Sequence, residues 1–420
     1  MQKLLLLTIA TSYLCTASGQ NVGIGTTSPS AKLHVAEGSV LFSASGVPSI
    51  VPGNPPASGM GRRTMWYADK AAFRSGFVSN NAWDKDSIGY YSFAAGYDAK
   101  ATDVGAIAFS HYAQARGLYS VAMGYNTKAL GTNSVAFGLN ALAQGDGAIA
   151  MGFENVAAGE RSLALGTHST ASGDGAVALG SGVGASGPGT VAIGNSSQAT
   201  NMYAAAFGYG SHATGTSAIA IGPVTASGNG SIAIGGGGAS TNGKNGAMVI
   251  TDSYSNPKLN SSADYQLSMR FVGGYRFYTT SDLSTGVQLA FGGGSWTAIS
   301  DQRKKENFRA LDKEDVLQKV ASLPITDWNY KAQPKTQRHI GPMAQDFYAA
   351  FHLDGVGADT TINTMDISGV NMVAIQALER RTTDLKKENE TLKAVNEKLA
   401  AEIAGIKASL QKLEKSLQPF

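Results

Sequence analysis

Ser300-Asp301-Gln302-Arg303-Lys304-Lys305-Glu306-Asn307 is the stretch whose residue types and spacing could do covalent chemistry. A serine hydroxyl is a weak nucleophile at neutral pH and needs a base beside it. Lysine serves as that base when burial lowers its pKa and removes its proton. Ser300 has two lysines close by, Lys304 and Lys305, and spacing alone does not choose between them. On a regular helix five residues turn through about 140°, so Ser300 and Lys305 would not share a face. Either Ser300 precedes the helix on a loop, or a neighbouring chain completes the site. The same run also reads as a plain Ser-Asp helix cap followed by a solvated basic face. No other constellation competes. The six histidines are scattered, and Gly235 to Gly238 lacks the strand–helix context of a phosphate loop. No cofactor and no metal are expected.

The elements around this run divide sharply at Ser300. The last 121 residues hold 18 of the 33 lysines and arginines, which marks a separate, helix-rich module. From Ile375 a heptad runs to the end. Leu378, Leu385, Leu392, Leu399, Ile406 and Leu413 recur every seven residues. Ile375, Thr382, Asn389, Asn396, Ile403, Leu410 and Leu417 fill the other seam position. That pattern predicts a coiled coil, with Asn389 and Asn396 fixing register at some cost in stability.

Upstream, the chain repeats itself. SFAAG (92–96), AIAFS (106–110), SVAMG (120–124), SVAFG (134–138) and AIAMG (148–152) recur every 14 residues. The series continues through AIAIG (218–222), and SIAIG (231–235) follows 13 residues later. A period this short is too small for a pair of helices; it suits one coil of a β-solenoid with two short strands and two tight turns. Within a pentapeptide Val121 and Met123 point one way while Ser120, Ala122 and Gly124 point the other. Both faces are apolar or tiny. One must line the coil and the other must pack on something, most simply a neighbouring chain; the pattern does not say which is which.

The remaining segments are read from composition. With 52 Gly, 12 Pro and 15% charged residues, the chain is neither a disordered tail nor a collagen. A net charge of +3 with mixed signs gives no electrostatic case for nucleic acid or an anionic membrane. Residues 1–19 read as a secretory signal peptide, with Lys3, an apolar stretch and Ala17-Ser18-Gly19. Its removal would take away Cys15, leaving no disulfide and a mature chain held by packing and oligomerisation. No later stretch is apolar enough for a transmembrane segment. Gly46 to Gly61, with Pro48, Pro52, Pro55 and Pro56, reads as a linker or irregular loop. Met65-Trp66-Tyr67, Phe73, Phe77 and Trp83 read as the core of a solenoid cap, or else as a sugar-binding surface.

Three resemblances give these readings a frame. The repeats over roughly 89–238 resemble the head of YadA-type trimeric autotransporter adhesins, which implies a left-handed parallel β-roll that trimerises; the charged helical end lacks the alternating membrane strands of such adhesins. Asn21 to Val35 is similar to the opening motif of phage tail-fibre proteins. Ser300 to Asn307 resembles the SDxRxKxN signature of the intramolecular-chaperone domain of phage endosialidases and tailspikes, serine peptidase family seventy-four. HIGPMAQDF (339–347) agrees with that domain's second element through Gly341, Ala344, Gln345 and Asp346. The resemblance implies that the domain drives trimerisation and then cuts itself off, with Ser300 as nucleophile, Lys305 as base and Ile299–Ser300 as the scissile bond. Asp301, Asn307, Gln345 and Asp346 are candidate supporting residues.

The expected molecule is mainly β with an α-helical C-terminus. It comprises a trimeric left-handed parallel β-roll shaft, a short β transition domain, and an α+β auto-processing domain ending in a coiled coil. The expected boundaries are 1–19 signal peptide, 20–45 tail-fibre-like strand motif, 46–88 linker and cap, and 89–238 roll. The transition domain follows at 239–299, the chaperone and autoprotease domain at 300–369, and the coiled coil at 370–420. The expected function is an exported, homotrimeric surface fibre or adhesin that processes itself, with a surface glycan or host-matrix ligand and no nucleic acid. The alternatives are an uncleaved trimeric surface structural protein and a spike that binds or depolymerises polysaccharide.

Overall fold

The computed structural model describes residues 21–353 and 359–417. The expected leader, with Cys15, lies outside the described residues. The chain divides into two compact units, Met1–Ile299 and Ser300–Phe420.

The first unit is a β-solenoid. Each 14-residue coil contributes one long strand, such as Val121–Tyr125, and one two-residue strand, such as Lys128–Ala129. Successive coils stack in parallel and in register: Ala122 pairs with Ala136, Met123 with Phe137 and Gly124 with Gly138. Among the described residues this builds one 15-stranded sheet and one 10-stranded sheet. The alanine face lines the coil. Ala122, Ala136, Ala150 and their equivalents have no exposed surface, while Val121 and Met123 point outward and are half-buried. An interior this narrow leaves room for a methyl group and little else.

Two further features let one short sequence close each coil. Asn126, Asn140, Glu154 and His168 occupy the same turn position in successive coils, all with φ between 51° and 54°. Their side chains form a ladder: Asn126 donates to Asn140, Asn140 to Glu154, and His168 Nε2 lies 2.8 Å from Glu154. Asparagine tolerates this left-handed region because its side chain bonds locally. Near the end of the long strand the matching position is glycine in most coils, with Ser110 (φ 94°) standing there in one. Gly138 has φ +119°, and a Cβ there would sit 2.1 Å from the Gly152 carbonyl oxygen of the next coil.

The N-terminal end of the solenoid is capped. An antiparallel hairpin, Gly61–Tyr67 with Ala72–Val78, joins the long sheet beside Phe93–Tyr97. Met65, Tyr67, Val78, Trp83 and Ile88 form its buried cluster. The core reading therefore holds for Met65, Tyr67 and Trp83. Phe73 lies exposed and stacks on Phe93 with ring centres 5.4 Å apart. Edge strands need their free backbone groups satisfied, and the cap does this with side chains. Trp83 Nε1 donates to the Ala99 carbonyl and Arg74 Nη2 to that of Ala101, each at 2.8 Å. Burial without a carboxylate partner pulls Arg74 down to about 10.

Past residue 238 the coil period fails but the sheet continues. Ile232–Gly235, Met248–Thr251 and Leu267–Arg270 remain parallel neighbours, because the extra residues are accommodated in the turns. A separate three-stranded antiparallel sheet follows: Tyr275–Tyr278, Gly286–Leu289 and Thr297–Ala298.

The second unit is built on helices. Helix Lys313–Ser322 is capped by Asp312, whose carboxylate accepts from Glu314 N and Asp315 N. It packs through Val316 and Leu317 against Val370, Ala374 and Ala377 of the long helix Thr364–Ser416. That helix has 53 residues and is about 80 Å long at 1.5 Å per residue. Beyond Ala377 its heptad residues have no partner within the described chain: Leu385 is 57% and Leu392 52% exposed. A seam of half-exposed leucines is the surface a coiled coil buries.

Candidate processing site

Asp301 determines the local geometry around Ser300. Its carboxylate caps a single 3-10 turn, Gln302–Lys304, by accepting from Arg303 N at 3.0 Å. The Arg303 guanidinium returns to the same carboxylate through Nε and Nη2, the latter at 2.7 Å. These hydrogen bonds hold the Asp301 carboxyl below its ordinary pKa and raise that of Arg303. After the turn the backbone is extended, with Lys305 at φ −126° and ψ 151°.

No regular helix forms here, so the 140° objection disappears. The tight turn folds Lys305 back until its Nζ donates to Ser300 Oγ at 2.7 Å. Ser300 thus lies on the loop before the turn, within reach of Lys305 of its own chain. Both side chains are exposed in the single chain. On the other side of Ser300, Ile299 N donates to the Gly286 carbonyl at 3.1 Å, which ties the preceding residue to the antiparallel sheet.

The remaining candidates lie elsewhere. Asn307 adopts φ +59° just after the turn. Gln345 and Asp346 sit in the first turn of helix Ala344–Phe351. None of the three is hydrogen-bonded or ion-paired to Ser300 or Lys305. The HIGPMAQDF segment reads as framework. His339 packs against Trp328 and Tyr330 and bonds Gln333 at 2.9 Å, and Phe347 enters the core with Val316 and Val370. The Asp301–Arg303 clamp was legible only as a cap residue beside a charge; nothing in the spacing announced that it would bend the chain back on itself. Among the described residues no cluster of metal-ligating side chains occurs, and no helix is long and apolar enough to cross a membrane.

Comparison with known families places this geometry. Residues 300–355 match the model of a peptidase family described as the chaperone of endosialidase, and the match begins at Ser300 itself. Residues 87–109, 115–141, 143–169, 157–182, 185–211 and 202–223 match the YadA head domain repeat. No curated protein matches the chain. The chain thus matches YadA head repeats and, after them, a chaperone-of-endosialidase domain, in the order its repeats and its Ser300 run led us to expect.

Proposed function

We propose that this is an exported, trimeric fibre or adhesin-like surface protein whose C-terminal domain assembles the shaft and then cuts itself off at Ile299–Ser300. The observation that carries the reading is the 2.7 Å contact between Lys305 Nζ and Ser300 Oγ, at the first residue of the chaperone match.

The chemistry follows from that contact. Neutral Lys305 takes the Ser300 hydroxyl proton as Oγ attacks the carbonyl carbon of Ile299. The C–N bond breaks, the Ser300 amine receives the proton, and an ester joins Ile299 to Oγ. Water then hydrolyses the ester, freeing a shaft that ends at Ile299 and a domain that begins at Ser300. A lysine loses its proton when it is desolvated, yet Lys305 is exposed in the single chain. Cover must come from neighbouring copies, which makes the cut conditional on assembly.

Trimerisation is supported by two apolar surfaces that have no partner among the described residues and by the family of the repeats. One surface is the heptad seam. The other is the outer face of the long sheet, where columns through Val121 and Met123 run about 60 Å at 4.8 Å per strand. Phe109 and Phe137 on that face are each 48% exposed. The outer column of the short sheet is more polar, with Lys100, Gln114, Lys128, Gln198 and His212 beside Leu142 and Val156.

N-terminal sequencing of the purified protein's smaller product tests the reading. The sequence SDQRKK is expected; a start at another residue, or a single uncut species in a trimeric preparation, contradicts it. The Asp301 clamp gives a second expectation. Asp301→Ala slows the cut by about 10- to 100-fold, because a misplacement near 1 Å costs that much. Asp301→Asn, which keeps the cap acceptor and loses the charge pair, falls between; time courses on denaturing gels measure both.

A further inference from the structure

The antiparallel sheet just upstream of Ser300 is sharply two-faced. Its register places Tyr275 opposite Leu289, Phe277 opposite Val287, and Val287 opposite Ala298. These five residues therefore share one face, and Trp296 joins them with its ring 5.4 Å from Phe277 and 6.3 Å from Tyr275. Arg276, Gln288 and Thr297 occupy the other face. The apolar face is open in the single chain: Phe277 is 49%, Trp296 54% and Val287 39% exposed. A three-stranded sheet is stable only when such a face is covered.

We infer that the occupant is the same face of two further copies of this chain, forming an aromatic clamp at the end of the shaft. This rests on the trimeric reading above and adds where the interface ends. The apolar face continues the assembly face of the solenoid. Leu267 and Met269 extend its two outer columns in the last long strand. The Tyr275 hydroxyl then donates to the Met269 carbonyl at 2.7 Å, accepts from Phe271 N at 3.2 Å, and the Phe271 and Tyr275 rings meet edge to face. With that hydroxyl committed to backbone and no charged side chain on the face, the surface lacks the convergent polar groups a sugar site requires. It suits a copy of itself. The clamp reaches Ala298, so the shaft stays trimeric to its last residues after the chaperone domain has left.

Amide exchange and native mass of the full chain test this. In the wild-type trimer, residues 275–298 should exchange at least about 100-fold more slowly than an open segment. Phe277→Ser with Trp296→Ser should remain trimeric through the roll while losing at least about tenfold of that protection. Val287→Cys in a Cys15→Ser background should crosslink between chains with a short bis-maleimide, which keeps the test decisive if the double variant fails to fold. Free exchange at 275–298 in a trimeric wild type, or no crosslink in a trimeric Val287→Cys variant, overturns the clamp alone. Free exchange slowed by added maltohexaose would overturn it in favour of a sugar site. A monomeric wild type instead refutes the trimeric reading on which the clamp rests.

Discussion

Leu385→Asp combined with Leu392→Asp leaves the chain monomeric at micromolar concentration and uncut. Each leucine sits in the heptad seam and is about half exposed in the single chain. Burying a leucine side chain is worth roughly 1.5–3 kcal/mol, and three chains bury six of these. Placing carboxylates there replaces that gain with like charges forced together in a dry seam. Sedimentation then finds one species of single-chain mass. The second effect follows from the exposure of Ser300 and Lys305. Without neighbours nothing desolvates the lysine, so the full-length mass persists. Cleavage by a variant shown to be monomeric would contradict the claim that assembly completes the site.

Gly138→Val has an effect of similar size on the shaft. The residue holds φ +119°, a region that L side chains rarely enter, at about 1–3 kcal/mol of strain. Its Cβ would also lie 2.1 Å from the Gly152 oxygen, which is backbone of the next coil and cannot swing away. Relief requires separating two coils and breaking the parallel ladder from Val135–Leu139 to Ile149–Phe153. A domain has roughly 5–15 kcal/mol in total, so this one change is expected to open the solenoid at its middle. Trypsin should then cut near Arg161, where the intact roll resists. Ala136→Gly, inside the same strand, should cost only about 1 kcal/mol and leave the roll resistant.

Much of this architecture was legible because the solenoid is nearly one-dimensional. A fixed period with a fixed small residue dictates in-register stacking, and Ala122 over Ala136 is that rule made visible. What the repeat could not give was its inner face. Val121 and Ala122 are both apolar, and only the narrowness of the closed coil decides that the methyl goes inside. The end of the sheet was equally hidden. Strands Met248–Thr251 and Leu267–Arg270 keep the register while the turns between them lengthen, so the period disappears before the sheet does. At the candidate site the residue types pointed to Ser300 with a lysine, and helical geometry argued against the pair. The objection does not apply, because Ser300 precedes a single turn that Asp301 caps, and the chain is extended again at Lys305.

Intact mass of the wild type beside Ser300→Ala and Lys305→Ala tests the central claim most directly. The account predicts that wild type separates into a shaft ending at Ile299 and a domain beginning at Ser300. Both variants should form trimers of full-length chain, with cutting reduced by at least about a thousandfold, since nucleophile and base act as one unit. A Lys305→Ala trimer that still cuts at the wild-type rate, or a wild-type trimer that never cuts, would contradict it.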